Sequence, residues 1–158
     1  MNMNAKWITI NELPDKTSLY IFRKKFTYLK EAERFQIEIS ADSRYQLYIN
    51  GTFLADGPCM GGEYTQYYEE LDAAKALVVG ENKIEVRVMH AVSESFMSVW
   101  RKERPALFFH GVIDGKTEIG SDSSFTCERV DSHEFYVCKE IQASVASFEK
   151  LLGDYAAT

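Results

Sequence analysis

Two adjacent carboxylates, Glu69 and Glu70, lie near the middle of this chain of 158 residues. Hydrolysis of a glycosidic bond needs two acids roughly 5 to 10 Å apart that face one substrate. Successive residues of a strand point to opposite faces of a sheet, so these two acids cannot form that pair. Asp56, Glu63 or Asp72 could partner either of them, but no spacing selects among the three. We therefore expect Glu69 and Glu70 to be solvated surface acids.

The histidines are isolated along the chain: His90, His110 and His133. None has a second histidine or a carboxylate at a metal-ligand spacing, so no metal site is expected. The sequence contains no G-x-S-x-G nucleophile motif, and the loop "GPCMGG" lacks the lysine of a phosphate loop. No cofactor is therefore expected either.

Aromatic residues cluster in two segments that could bind a sugar. Tyr64, Tyr67 and Tyr68 follow the glycine-rich loop in "EYTQYYEEL", and Trp100 and Arg101 lie in "SFMSVWRKERP". Exposed aromatic rings stack on the apolar faces of sugars while neighbouring polar groups bind the hydroxyls. These five residues are the candidate carbohydrate-binding site. The alternative is that the rings cover an edge of the fold or contact another domain.

Alternation of apolar and polar residues predicts that strands carry these segments. In "RFQIEIS", the residues Phe35, Ile37 and Ile39 share one face, and "RYQLYING" and "NKIEVRVMH" repeat the pattern. Asn50-Gly51 and Asp114-Gly115 are pairs preferred in hairpin turns because they tolerate positive φ. Many short strands separated by turns predict an all-β, two-sheet antiparallel sandwich of the jelly-roll kind.

Two helices are expected in addition to the strands. The segment "LDAAKALVVG" predicts one or two helical turns, with Asp72 as the N-terminal cap and Gly80 as the stop. The tail predicts a helical segment over residues 140–158 because its apolar residues share one helical face: Val145, Phe148, Leu151 and Leu152. The sequence contains no internal repeat or low-complexity linker, so residues 1–158 are predicted to form one domain.

The composition excludes several classes of protein. Apolar residues make up 46% and charged residues 27%, as in globular domains. The net charge of -6 provides no basic stripe for nucleic acid. No apolar run approaches the ~20 residues that cross a bilayer, and the N-terminus lacks a signal-peptide pattern, so we expect a cytoplasmic protein that does not bind membranes. The cysteines have no paired spacing and are expected to be free, buried thiols: Cys59, Cys127 and Cys138.

Residues 40–88 resemble the amino-terminal β-sandwich domain of bacterial α-L-rhamnosidases. The shared elements are a strand ending in Y-x-L-Y-x-N-G, then Gly-Pro, Tyr-Glu, an Asp before a helical turn, and Gly-Glu-Asn before a V-x-V strand. They occur here as Tyr45, Leu47, Tyr48, Asn50, Gly51, Gly57-Pro58, Tyr68-Glu69, Asp72, Gly80-Glu81-Asn82, Val86 and Val88. A later segment adds Asp114, Gly115, Asp122, Ser124 and Phe125. The likeness covers most of residues 7 to 140.

This resemblance implies a galactose-binding-like sandwich that is a non-catalytic part of a larger glycoside hydrolase. In that family, acidic residues on a separate toroid of helices carry out an inverting hydrolysis. The implied partners are therefore the catalytic helical domain of the same parent enzyme and rhamnose-containing carbohydrate, and we expect the chain to be a fragment. Some relatives bind rhamnose with calcium, but no complete set of calcium ligands can be matched here, and no metal is expected.

Three hypotheses follow from the resemblance. An accessory domain would expose an apolar patch, with the terminal helix as part of it, where a partner domain sits. An independent carbohydrate-binding module would bind rhamnose through residues such as Tyr67 and Trp100. A small hydrolase would cleave a rhamnoside without any further domain. The first hypothesis is the leading one, because the sequence offers no assembled reaction centre.

Overall fold

The computed structural model describes residues 5–11, 13–59, 65–92, 104–131, 133–137 and 147–151. Nearly all of the regular structure in these ranges is β-strand. The strands are β1 (Ile8–Thr9), β2 (Ser18–Tyr28), β3 (Phe35–Asp42), β4 (Arg44–Ile49), β5 (Thr52–Gly57), β6 (Glu69–Asp72), β7 (Gly80–His90), β8 (Ala106–Ile113), β9 (Thr117–Gly120), β10 (Thr126–Val130), β11 (His133–Val137) and β12 (Ser147–Leu151).

The strands form two five-stranded antiparallel sheets and one pair. The first sheet has the order β1-β8-β3-β6, and β9 also pairs with β8. The second sheet has the order β10-β2-β7-β4-β5. Strands β11 and β12 pair with each other. The prediction of an all-β, two-sheet antiparallel sandwich is confirmed.

The core lies between the inner faces of the two sheets. Phe35, Ile37 and Ile39 of β3 have no solvent-accessible surface, which confirms the inward face predicted from alternation. The predicted inward residues of the second sheet are also at most 2% exposed: Tyr45, Leu47, Ile49, Ile84, Val86 and Val88. Burial of these faces stabilises the sandwich by ~25 cal/mol per Å² of apolar surface.

Both predicted hairpin turns are confirmed by their backbone angles. Asn50 and Gly51 have φ of 51° and 80°, and they form the two-residue connection between β4 and β5. Asp114 and Gly115 have φ of 49° and 67° at the connection between β8 and β9. Positive φ at both central residues matches the right-handed twist of the flanking strands.

The inserted helix is much shorter than predicted. It is a single 3-10 turn, Ala74–Ala76, and the residues before it form strand β6 beside β3. Asp72 does bind the start of this turn, since its Oδ1 accepts a hydrogen bond from the Ala74 amide at 3.0 Å. The turn ends because Leu77 is extended, with φ -82° and ψ 149°. In the part of the chain that the structure describes, no helix has the length or apolar character to span a membrane.

The predicted terminal helix is wrong for residues 147–151. Strand β12 pairs with β11 in antiparallel register, from His133 opposite Leu151 to Val137 opposite Ser147. The backbone groups of β11 need a partner strand, and this pairing outweighs the local helical spacing of apolar residues. The other residues of the segment 140–158 lie outside the described ranges.

The cysteines also differ from expectation. Cys59 and Cys127 are free thiols, as predicted, but both are exposed rather than buried. Cys138 lies outside the described residues.

Candidate functional site

The residues singled out in the sequence gather at opposite ends of the sandwich. The long pairing of β2 with β7 runs from Ser18 opposite His90 to Tyr28 opposite Gly80. The end near Gly80 carries the turns after β4 and β8, and we call it the turn end. The end near His90 carries the connections after β5 and before β6, and we call it the loop end.

Two asparagines fix the backbone at the turn end. Asn50 Nδ2 donates to Asn82 Oδ1 and to the Ala76 carbonyl, each at 2.8 Å. The fully buried Asn82 accepts from the Val78 amide at 2.9 Å and donates to the Val78 and Gly80 carbonyls at 2.8 and 3.1 Å. The Asn-Gly and Gly-Glu-Asn elements of the sequence pattern therefore meet in space, where they serve the backbone.

Two aspartates have a similar structural role at this end. Asp114 accepts from the Tyr28 hydroxyl at 2.6 Å and from the Arg34 amide at 2.9 Å, and these bonds lower its pKa. Asp72 accepts from the Phe35 amide at 3.0 Å, and backbone hydrogen bonds, with this one the strongest, lower its pKa. Both side chains are thus held as carboxylates that satisfy the donors of loops and strand ends.

Glu69 anchors the loop end. It lies in β6 of the first sheet, and its Oε2 accepts from the hydroxyl of Tyr45, which lies in β4 of the second sheet, at 2.9 Å. Its Oε1 accepts from the Cys59 amide at 2.5 Å. The expectation that Glu69 is a solvated surface acid is wrong, because it is half-buried and both of its oxygens have donors. Glu70 is exposed, as expected.

The hydroxyl of Tyr45 is held in its protonated form. Burial, followed by the hydrogen bond to Glu69, raises the pKa of Tyr45 well above its usual value of 10.0. Tyr45 therefore remains a hydrogen-bond donor to the carboxylate at neutral pH. Because donors occupy both oxygens of Glu69, this carboxylate is suited to hold structure rather than to transfer a proton to substrate.

Tyr67 and Tyr68, here called the tyrosine pair, lie directly before Glu69. The two residues are 51% and 55% exposed, as the stacking hypothesis requires. Their backbone is anchored, since the Ser40 hydroxyl donates to the Tyr67 carbonyl at 2.6 Å and Gln66 Nε2 donates to Ser40 Oγ at 3.0 Å. The remaining predicted site residues lie outside the described residues: Tyr64, Trp100 and Arg101.

A buried histidine lies at the same end of the core. His90 has no exposed surface, and neither ring nitrogen has a hydrogen-bond partner. Its Nδ1 is 3.8 Å from Asp42 Oδ1, and burial lowers its pKa. Elsewhere, His110 Nδ1 lies 3.1 Å from Glu38 Oε2 on the outer face of the first sheet. Within the described ranges, no three His, Cys, Asp or Glu residues are grouped closely enough to hold a metal ion.

An apolar surface is exposed at the turn end. Leu29 follows Tyr28, and Val79 precedes Gly80, the last residue pair of the β2-β7 ladder, so both residues lie at the turn end. Leu29, Val78 and Val79 are 76%, 52% and 58% exposed. We call these three exposed aliphatic residues the apolar surface at the turn end. The side chains of the terminal segment lie outside the described residues, so the part of the expected patch assigned to that segment stays a prediction.

The fold recurs in solved structures of larger enzymes and of a lectin. The GH78 family rhamnosidase of Bacillus sp. GL1 is 29% identical, with a TM-score of 0.74, over 84% of this chain and 14% of that chain. The α-L-rhamnosidase of Aspergillus terreus is 22% identical, with a TM-score of 0.68, over 79% and 16%. The Pleurotus ostreatus lectin is 20% identical, with a TM-score of 0.58, over 81% and 35%.

These matches cover most of this chain but only a small part of each rhamnosidase. The chain spans only 12 to 17% of the length of four rhamnosidases, while each match covers about 80% of the chain. The chain therefore corresponds to one domain of such enzymes. No protein-family model and no curated protein sequence matches it.

Proposed function

The chain is similar to one β-sandwich domain of GH78 α-L-rhamnosidases, and from this premise we propose that it is a non-catalytic accessory domain of an α-L-rhamnosidase-like glycoside hydrolase. The observation that carries the proposal is the match over 84% of this chain to 14% of the Bacillus enzyme. A galactose-binding-like jelly roll is the fold class that we assign to it. The roles of Glu69, Asp72 and Asp114 as acceptors for structural donors support a domain without a reaction centre.

The apolar surface at the turn end supports a role in contact with another domain. Asn82 fixes the backbone of Val78, so this surface is presented by a rigid segment. Contiguous exposed apolar surface marks sites of protein–protein interaction. The partner that we propose for Leu29, Val78 and Val79 is the catalytic helical domain of the same enzyme.

The tyrosine pair supports contact with carbohydrate at the loop end. Polar anchors hold the side chain of Gln66 and the carbonyl of Tyr67 while both tyrosines remain exposed. A preordered aromatic surface binds a sugar at a lower entropic cost. One matched rhamnosidase, from Streptomyces avermitilis, is complexed with L-rhamnose, and the Pleurotus lectin with GalNAc. We propose rhamnose-containing carbohydrate as the ligand of this chain.

The second candidate function is an independent carbohydrate-binding module for rhamnose-type sugars. The likeness to a lectin, which covers 81% of this chain, favours it. The two candidates differ in the surface on which they depend. An independent module depends on the loop end alone, whereas an accessory domain also depends on the apolar surface at the turn end.

Calorimetric titration of the chain with methyl α-L-rhamnoside tests the sugar contact. We expect saturable heat that Tyr67→Ala weakens by about fivefold or more, because one stacking ring is lost. Phe53→Ala is the matched control, since Phe53 is an equally exposed ring, at 51%, on the second sheet. Absence of heat, or an equal loss in both variants, would remove the carbohydrate role and leave only the interdomain role.

Mixing experiments test the interdomain role. The catalytic helical domain of a GH78 rhamnosidase, prepared without its β-sandwich, should bind this chain in analytical ultracentrifugation. The double substitution Val78→Ser and Val79→Ser should weaken that binding, while the exposed pair Lys75→Ala and Glu81→Ala should not. Binding that is unchanged by the serine substitutions would mean that the interface does not include Val78 and Val79.

A further inference from the structure

We infer that Glu69 is the positioning residue of the tyrosine pair: its carboxylate ties strand β6 to strand β4 and to the loop after β5, and sugar binding depends on it. This inference rests on the proposed carbohydrate role of the loop end. It assigns to Glu69 no contact with the sugar. The residue acts through the backbone that carries Tyr67 and Tyr68.

Three separate features of the fold converge on this one carboxylate. The hydroxyl of Tyr45, in the second sheet, donates to Oε2 at 2.9 Å. The backbone amide of Cys59, in the loop after β5, donates to Oε1 at 2.5 Å. Gly57 supplies the third feature because the carboxylate packs on its Cα. A Cβ at Gly57 would lie 2.7 Å from Glu69 Oε2 and 2.9 Å from its Cδ. No side chain larger than hydrogen fits there without displacing Glu69.

The geometry explains why the Glu69 carboxylate positions the tyrosine pair and does not bind the sugar. Each oxygen already accepts a hydrogen bond from a protein donor, and hydrogen bonds to a charged acceptor are stronger than neutral ones. A sugar hydroxyl would have to compete with both donors. The adjacent Glu70 points to the opposite face of β6 and is exposed, so it provides a control of the same charge one residue away.

A second anchor, the side chain of Gln66, holds the start of the segment that leads to Glu69. Gln66 Nε2 donates to Ser40 Oγ at 3.0 Å and to the Ala41 carbonyl at 3.1 Å, which fixes one end of the segment to β3. Glu69 fixes the other end, and the tyrosine pair lies between the two anchors. The backbone of β6 stays paired with β3 at Glu69, opposite Ile39, so loss of the carboxylate frees the segment from β4 and from the loop after β5 only. The tyrosine rings then sample more orientations and bind a sugar less well.

Hydrogen exchange and calorimetry on Glu69→Gln, with Glu70→Gln as the control, test the inference. We expect exchange of the Cys59 amide, which donates to Glu69 Oε1, to rise about tenfold in Glu69→Gln, because a charged acceptor is replaced by a neutral one. Affinity for methyl α-L-rhamnoside should fall about fivefold or more with the amides of β2 and β7 protected as before. Gly57→Ala should reproduce both effects, and Glu70→Gln neither.

The outcomes separate this inference from the proposed function. If the unsubstituted chain binds the rhamnoside and Glu69→Gln binds it equally well, Glu69 is not a positioning residue. If exchange of the Cys59 amide is the same in Glu69→Gln and Glu70→Gln, the inference is overturned irrespective of sugar binding. If the unsubstituted chain releases no heat with the rhamnoside, the carbohydrate role itself fails, and the inference that depends on it is withdrawn.

Discussion

Asn50 Nδ2 lies 2.8 Å from Asn82 Oδ1, so a hairpin turn is joined to a segment 32 residues further along the chain. This contact links the two sequence elements that the chain shares with rhamnosidase sandwiches. It also shows what those elements do here, because both asparagines bind backbone groups. The asparagines of the turn end therefore hold the fold, and sugar recognition is proposed for the loop end.

Removal of the Asn82 side chain should destabilise the whole sandwich. Asn82 is fully buried and takes part in four hydrogen bonds, with Asn50, with the amide and carbonyl of Val78, and with Gly80. Asn82→Ala leaves these partners unsatisfied and should lower the free energy of unfolding by about 3 kcal/mol in urea denaturation. The neighbouring control Glu81→Ala removes an exposed ion pair and should change it by less than about 0.5 kcal/mol. Equal effects would contradict the role of the asparagine pair.

Addition of a methyl group at Gly111 should disrupt the core. A Cβ there would lie 2.5 Å from Cε2 of the fully buried Phe35, across the β3-β8 ladder. Overpacking of this kind costs about 1 to 3 kcal/mol, so Gly111→Ala should unfold at a lower urea concentration.

The smaller side chain of Phe35→Leu gives this prediction its control. The double variant Phe35→Leu with Gly111→Ala should be destabilised by less than the sum of the two single variants, because the leucine relieves the overlap. Additive effects would mean that the ring of Phe35 is not what excludes a side chain at Gly111.

Stability should fall in mild acid because of His90. Burial lowers the pKa of His90 in the folded protein, whereas the unfolded chain has the usual value of about 6.5. Below that pH the unfolded state binds more protons than the folded state. The free energy of unfolding is therefore highest above about 6.5, and it declines below it by up to about 1.4 kcal/mol per pH unit until the folded pKa is reached.

Urea denaturation at intervals between pH 7.5 and 5.0 measures this decline. His90→Gln should abolish most of it while the carboxylates remain ionised, whatever its effect on stability at pH 7.5. A profile with the same slope in both proteins would assign the acid sensitivity to other groups.

The chain should not hydrolyse a rhamnoside. Glu69 at the loop end and Asp114 at the turn end accept hydrogen bonds from structural donors, and neither is free to protonate a leaving group. We expect no release of nitrophenol from p-nitrophenyl α-L-rhamnoside at high protein concentration. Turnover that persists through purification and is lost in Glu69→Gln would instead support the hydrolase hypothesis.

Local patterns predicted the framework well. The alternation in β3, β4 and β7 depends only on neighbouring residues and on which face is buried, and the turn at Asn50 depends on a preference for positive φ. The two helix predictions were wrong because contacts distant in sequence, and not local patterns, determine these segments. Residues 147–151 pair with β11, and residues after Ala76 are held by Asn82, so contacts distant in sequence decided their conformation.

The site was predictable only in part. Exposure of Tyr67 and Tyr68 was expected from their place just after the glycine-rich loop. The role of Glu69 did not, because its donors Tyr45 and Cys59 lie 24 and 10 residues away and no spacing rule links them. The signal that could have indicated it was the recurrence of Gly-Pro and Tyr-Glu together in the family pattern, since Gly57 and Glu69 pack on each other.

We propose that the loop end recognises sugar, while the asparagines of the turn end hold the fold. The most direct test is a two-dimensional NMR titration of the chain with methyl α-L-rhamnoside. We predict chemical-shift changes concentrated at residues 57–59 and 65–69, with the amides of Asn50 and Asn82 unmoved. Changes centred on the turn end, or none at saturating sugar, would mean that the loop end does not recognise this sugar.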